Sequence, residues 1–357
     1  MLEYLARRYR VEAIFFRQPG AAEPQAAMPR QLVADACTIT LPYHGRGVVA
    51  RVGRNLKRWA RGIPPLVDRF RGFEEEVRRF TAGKRYELAV IEHSWCLPYA
   101  EVIAARRVVA NLHNVESVWH RRMGALEWGW LHGRFARGYE RLEREWLPRF
   151  DLVLAPSAAD VGQLPAGVKA AVYPNTIPAG ARGAAVRKAP RVIFSANLEY
   201  APNQAAVAWF AREIWPVVAA RRKELEWVVA GRNPEAVARW IRGLPRVRVT
   251  GRVPSLREEI AGAMLAVAPI RAGSGTRVKI LEAWAAGTAV VSTRLGAEGL
   301  PTRAVALADT GEEFVAAIEW LLDDSAARVA MEQEAAAILE AEFTWEAGWN
   351  CLERLGI

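Results

Sequence analysis

The stretch from Val267 to Thr293 constrains this chain more than any other. A short apolar run, Met264 to Ala268, ends in a Gly/Ser loop. A helix-compatible segment follows at once, and then a second apolar run, Ala289 to Ser292. Strand, glycine loop, helix, strand is one half of a nucleotide-binding α/β unit. The start of a helix leaves backbone N–H groups unpaired and aimed outward, and with the helix dipole they make an anion site. Gly273 and Gly275 allow the turn and the close approach of a ligand. Arg277 and Lys279 place two cations in the first turn, where each opposes the dipole at a cost of roughly 0.3–1 kcal/mol. An anion seated on that helix end offsets the cost, and a diphosphate fits best. Glu282 shares a face with Lys279, and a carboxylate there can accept hydrogen bonds from ribose hydroxyls. The plainer alternative makes Arg277 and Lys279 solvated surface cations and pairs Glu282 with Lys279.

A chain of 357 residues suggests two domains, each able to bury its own core. No apolar run approaches the length that crosses a bilayer, and the charged segment Met1 to Arg10 does not read as a cleavable signal peptide. Cys37, Cys96 and Cys351 are scattered, which argues against a disulfide scaffold and gives no zinc-ligand spacing. A cytoplasmic location is the expectation. The excess of positive charge is confined to the first half. Residues 1–150 hold 26 Lys and Arg against 16 Asp and Glu, and residues 151–357 hold 23 of each. That first half should meet something anionic.

In the first half, apolar runs at 11–16, 37–41, 88–91, 108–112, 152–155 and 170–173 read as strands, and 46–60, 66–81, 98–105 and 127–147 read as helices. Pro174 to Pro190, rich in Pro, Ala, Gly and Arg, reads as a linker. The alternation then restarts with strands at 192–195, 227–230 and 247–250 and helices at 204–221, 234–241 and 256–261. Helices at 312–322, 326–340 and 343–355 close the chain. Alternation of this kind implies mostly parallel sheets covered on both faces. The simplest architecture is α/β, with two Rossmann-like domains facing a central cleft, where such folds bind ligands.

Arg46 to Arg61 stands apart. Val48, Val49, Val52, Leu56 and Trp59 fall at helical spacing, with Arg54, Lys57, Arg58 and Arg61 mostly off that face. A basic amphipathic helix with a Trp is the pattern of a helix lying on an anionic membrane surface. The alternative is a surface helix whose apolar face joins the core.

The second half carries, in order, Phe194-Ser-Ala-Asn-Leu-Glu-Tyr-Ala-Pro-Asn-Gln, Ala230-Gly-Arg, Val249-Thr-Gly-Arg-Val, Gly275-Thr-Arg-Val-Lys-Ile-Leu-Glu-Ala, Gly287-Thr-Ala-Val-Val-Ser-Thr and Gly296-Ala-Glu-Gly-Leu. With Leu112-His-Asn-Val-Glu-Ser and Tyr173-Pro-Asn-Thr-Ile in the first half, this set resembles glycosyltransferase family 4 of the GT-B fold, in the branch of exopolysaccharide and lipid-linked sugar assembly. The resemblance implies an N-terminal acceptor-side domain at 1–175, a linker at 176–190 and a nucleotide-sugar-binding domain at 191–340. A C-terminal helix at 341–357 would cross back to the first domain.

It implies a retaining transfer from a UDP- or GDP-linked sugar to a lipid-linked or polysaccharide acceptor, with no metal and no cofactor. The chain has no Asp-x-Asp motif. Arg277, Lys279 and the helix start would therefore stabilise the departing diphosphate, a role that Mg²⁺ would otherwise fill. Glu282 would hold the ribose. The family's other glutamate, eight positions earlier, is replaced here by Ser274, so sugar hydroxyls would fall to Ser274 or to the backbone of Gly273, Gly275 and Thr276. Ser195, Asn197 and Asn203 resemble the diphosphate side of the site, and Gly251 to Val253 the base side. His113 would contact the sugar, and His93 and Asn114 would lie on the acceptor side. Glu116 reads as a helix-start charge.

Family members open with a strand and a Gly-rich loop before the helix that resembles Leu2 to Tyr9, and the sequence starts inside that helix, so the expectation is either a misplaced start or a shortened chain. The expected partners are a nucleotide sugar, the acceptor and an anionic membrane at the inner face of the cell, with no nucleic acid, since no aromatic-basic recognition motif is present. Two other readings stay open: a GT-B epimerase or phosphorylase, and an inactive nucleotide-sugar-binding protein.

Overall fold

The computed structural model describes residues 1–43, 45, 47–125, 129–179, 188–273 and 278–357. The chain divides into two compact units, one of residues 1–173 with 351–357 and the other of residues 174–350.

The first unit contains β1 (Glu12–Arg17), β2 (Asp35–Thr40), β3 (Tyr86–Glu92), β4 (Ala105–Asn111), β5 (Leu152–Ala155) and β6 (Ala170–Val172). β1 and β2 form a two-stranded parallel sheet, and β3–β4–β5–β6 a separate parallel sheet of four. Val109, Ala110, Val153 and Leu154 are fully buried at its centre, as befits strands covered on both faces. Residues 351–357 pack here: Arg107 donates to the carbonyls of Gly356 (2.6 Å) and Leu355 (3.0 Å), and the Tyr4 hydroxyl to that of Ile357 (2.9 Å). A cavity of about 550 Å³ runs along both β1 and β3, lined by Ile14 to Phe16 on one strand and Leu88 to Glu92 on the other. At its far end Lys84 and Tyr86 both reach Glu12, at 2.7 and 2.8 Å.

The second unit is one parallel sheet in the order β12–β11–β10–β7–β8–β9. Its strands are β7 (Ala189–Ser195), β8 (Glu226–Ala230), β9 (Val247–Gly251), β10 (Ala263–Ala268), β11 (Ala289–Ser292) and β12 (Ala306–Leu307). From β7 the chain winds outward through β8 and β9, then returns to β10 on the other side. The crevice at the carboxyl ends of β7 and β10 is therefore a topological switch point. Trp215, Trp227 and Trp284 are almost wholly buried in this core, each contributing on the order of 2–3 kcal/mol. Ser255, Thr310 and Asp324 cap the helices that follow them, worth about 1 kcal/mol each.

Several elements differ from the sequence reading. The helix expected over 66–81 is two, Pro65–Phe70 and Glu74–Thr81, because Gly72 takes a φ of 88° between them. The helix expected at 98–105 is a 3₁₀ segment, Ser94–Val102, with Pro98 inside it, and Ala105 already pairs with Tyr86 at the start of β4. The helix expected over 204–221 holds a π turn, Phe210–Ile214, just before Pro216; proline offers no N–H to the regular ladder. Helix Glu116–Gly124 precedes Gly129–Trp146 where one helix over 127–147 was expected.

Candidate functional site

Helix Val278–Ala285 is the next helix after β10. Ser274, Gly275, Thr276 and Arg277 lie outside the described residues. Lys279 is half-buried. Its Nζ donates to Asn203 Oδ1 at 2.7 Å and lies 5.1 Å from the centre of the Phe194 ring, within cation–π range. Asn203 sits in the first turn of helix Ala201–Trp209, after β7, so Lys279 and Asn203 join across the switch point. Asn203 Nδ2 donates to the Asn197 carbonyl at 2.8 Å, and Asn233, after β8, donates to Asn197 Oδ1 at 3.4 Å. Gly231 makes this closeness possible. At a φ of 145°, a Cβ there would lie 1.7 Å from the Ala196 carbonyl oxygen.

Glu282 is half-buried one turn along from Lys279. Burial holds its pKa above the usual carboxylate range, against the opposing charge of Lys279. Ser195, at the end of β7, is buried. Gly251 ends β9 with a φ of 64° and accepts from the Gly231 N–H at 3.2 Å; Val253 lies two residues on, half-buried. The second unit thus brings together Ser195, Asn197, Asn203, Lys279 and Glu282 at the carboxyl ends of β7 and β10, with Gly251 and Val253 after β9. Phe194, which the sequence reading did not single out, supplies the surface under Lys279. Its position at the end of an apolar strand was the available signal.

In the first unit the carboxyl ends of β3 and β4 carry His93 and His113. His113 Nε2 lies 2.8 Å from Glu92 Oε2, and the same oxygen accepts from Asn111 Nδ2 at 2.9 Å. The His93 ring stacks on Trp95 at 4.3 Å and lies 4.4 Å from that of His113. His93 holds a φ of 67°, a conformation that costs a non-glycine residue on the order of 1–3 kcal/mol. Burial first, and the neighbouring His113 second, push the His93 pKa down to about 4, so it is neutral at pH 7. Asn114 does not join this group: its Nδ2 turns to Glu116 Oε1 at 3.3 Å. Burial pushes Glu116 up to about 7, against that hydrogen bond. Glu92 is the residue that sequence reasoning missed, and its place beside His93 at a strand end was the only clue.

Residues 189–324 match the family model for glycosyl transferases group 1. No curated protein matches the chain. Among solved structures, it is similar to a sucrose-phosphate synthase from Thermosynechococcus elongatus, with a TM-score of 0.72 at 15% identity, over 99% of this chain and 90% of that one. Anabaena HepE in complex with UDP and glucose gives a TM-score of 0.64 at 14% identity, over 97% and 99%. An α,α-trehalose 6-phosphate synthase from Burkholderia multivorans gives 0.65 at 13%, over 96% and 95%. The fold is that of the GT-B glycosyltransferases. With a group 1 glycosyltransferase segment spanning the second unit's sheet, the chain is an enzyme of the glycosyltransferase class.

Proposed function

We propose that the chain moves a sugar from a UDP- or GDP-linked donor to a lipid-linked or polysaccharide acceptor. In this reading transfer proceeds with retention at the anomeric carbon and needs neither metal nor other cofactor, as in the exopolysaccharide branch of family 4. The observation that carries the reading is Lys279, a half-buried ammonium held at the switch point of the unit that the group 1 model matches. Cleavage of the anomeric C–O bond leaves charge on the diphosphate, and a pre-placed cation stabilises that charge without reorganising. Arg277 and the helix start share this task. Glu282 takes the ribose hydroxyls, Gly251 and Val253 the base, and Ser274 to Thr276 the sugar. The complex of HepE with UDP and glucose supports the donor class. Calorimetry with UDP and GDP tests the reading, and binding that ignores Lys279→Ala sinks it.

The acceptor side belongs to the first unit, with His93 and His113, while Asn114 is turned to Glu116, and we read the helix Val48–Arg61 as its membrane contact. Val49 (87% exposed), Val52 (59%) and Leu56 (59%) face solvent, while Arg58 is only 9% exposed. A helix that turns its apolar face outward and carries exposed Lys57 and Arg61 suits an anionic lipid surface. No helix among the described residues is long and apolar enough to cross a membrane, so attachment to the inner face would be peripheral.

The cavity between β1 and β3 supports the expectation of one further strand. The two strands belong to separate sheets, and the cavity that lies along both is lined largely by apolar side chains. In this reading a parallel strand ahead of Leu2 seats between them and joins the two sheets of the first unit.

A further inference from the structure

We propose that Asn203 is a positioning residue for Lys279 and makes no contact with the donor. The proposal rests on the reading of Lys279 as the partner of a diphosphate. It departs from the sequence expectation, which set Asn203 on the donor itself.

Asn203 is 6% exposed. A side-chain amide has an acceptor oxygen with two lone pairs and an NH₂ with two N–H donors, and here each end makes a short hydrogen bond inside the protein. Oδ1 accepts from Lys279 Nζ at 2.7 Å, and Nδ2 donates to the Asn197 carbonyl at 2.8 Å. The backbone is held too, since its N–H donates to the Tyr200 carbonyl at 2.9 Å. Asn203 thus bridges the loop after β7 to the helix after β10.

The choice of an amide has a chemical consequence. Lysine is a compact charge on a flexible four-carbon stem, and it must be fixed if its field is to point at one place. A carboxylate would fix it by ion pairing and cancel the charge that a diphosphate needs. A neutral oxygen fixes it and leaves the charge to act. Phe194 adds a second neutral contact, its ring lying 5.1 Å from the ammonium. Asn203 and Phe194 thus hold Lys279 through a dipole and a quadrupole, and neither contact cancels its charge.

The test begins on the ligand-free full chain, with competitive acylation of lysines read by peptide mass spectrometry. Asn203→Leu keeps the number and branching of the side-chain heavy atoms and removes the acceptor, and Lys279 should then label at least five-fold faster than in wild type. Asn203→Asp keeps an acceptor, and Lys279 should label at the wild-type rate or slower. Unchanged labelling in Asn203→Leu, or faster labelling in Asn203→Asp, overturns the proposal. If the Leu variant does not fold, the Asp variant decides alone.

A double-mutant cycle on UDP affinity separates positioning from contact. Asn203→Leu should weaken UDP binding about ten-fold in the wild-type background and less than two-fold beside Lys279→Met. Equal losses in both backgrounds would make Asn203 an independent donor contact and overturn the proposal. If wild type binds neither UDP nor GDP, the donor reading fails, and the labelling result still decides whether Asn203 holds Lys279.

Discussion

Arg58 and Asp68 form an ion pair at 2.8 Å on the inward side of the helix Val48–Arg61, whose Val49, Val52 and Leu56 face solvent. Arg58 Nε donates to Asp68 Oδ2 on the next helix, and Arg54 donates to the Gly45 carbonyl at 2.9 Å, so these two arginines are drawn in while Lys57 and Arg61 stay exposed. Burial pushes the Asp68 carboxyl up, but its hydrogen bond to Arg58 and the guanidinium charge hold it below its usual value. Trp59 packs edge-on to Trp130, which is itself exposed. If the exposed stripe meets lipid, Val52→Asp with Leu56→Asp should lower binding to anionic vesicles at least ten-fold and leave UDP binding untouched. Flotation at low and high salt checks this. Equal binding by variant and wild type would remove the membrane contact.

Gly231 has no tolerance for a side chain. A Cβ would sit 1.7 Å from the Ala196 carbonyl oxygen at a φ suited to glycine. Gly231→Ala should cost more than about 2 kcal/mol through strain and clash. It should also loosen Asn197 and, through Asn203, Lys279. Urea unfolding with UDP titration reads both effects, and a variant matching wild type in each would contradict this packing.

Acid should destabilise the first unit through His120. Its ring stacks on Tyr139 and its Nδ1 lies 3.0 Å from that of His132. Burial, then the charge of His132, lower its pKa from 6.5 to about 3. A depressed histidine stays neutral in the fold while the unfolded chain takes up a proton, so stability falls as the pH drops through 6.5 and levels off near the folded value. Buried Glu116, raised to about 7, acts in the opposite sense, losing stability as the pH rises above 4.5. Comparison with a single variant isolates the histidine. Between pH 7 and pH 4, wild type should lose on the order of 2–4 kcal/mol more than His120→Asn, by chemical denaturation. Parallel losses would mean that His120 does not carry the effect.

The strand seat between β1 and β3 can be read by hydrogen exchange. In the chain of residues 1–357, the amides of β1 and β3 that face the cavity should exchange quickly. An apolar strand joined ahead of Leu2 should protect both edges and raise Tm by several degrees, whereas a Gly/Ser extension of equal length should do neither. Protection already present without the extension, or none with it, would remove the proposed strand.

Much of the fold was legible because buried parallel strands are continuous apolar runs. Ala289–Ser292 and Leu152–Ala155 fall where the runs do. The misses have local causes: a glycine at 72, a proline at 216, and a strand beginning at Ala105 in a segment with helical spacing. The helix Val48–Arg61 shows a different limit. Periodicity reveals that one face is apolar, but tertiary contacts such as the Arg58–Asp68 pair decide which face turns inward. At the site, Lys279 and Glu282 could be found from spacing to a helix start. The partner of Lys279 could not, because Asn203 lies 76 residues away and meets it only through the sheet order. Glu92 was hidden likewise, since β3 and β4 must pair before it can reach His113.

The central claim is that the second unit grips a nucleotide diphosphate through Lys279. Isothermal calorimetry of the full chain with UDP and GDP, beside Lys279→Ala, tests it most directly. At least one nucleotide should bind wild type without added metal, with Lys279→Ala weaker by about a hundred-fold, the equivalent of roughly 3 kcal/mol. Equal affinities for wild type and variant would contradict the account.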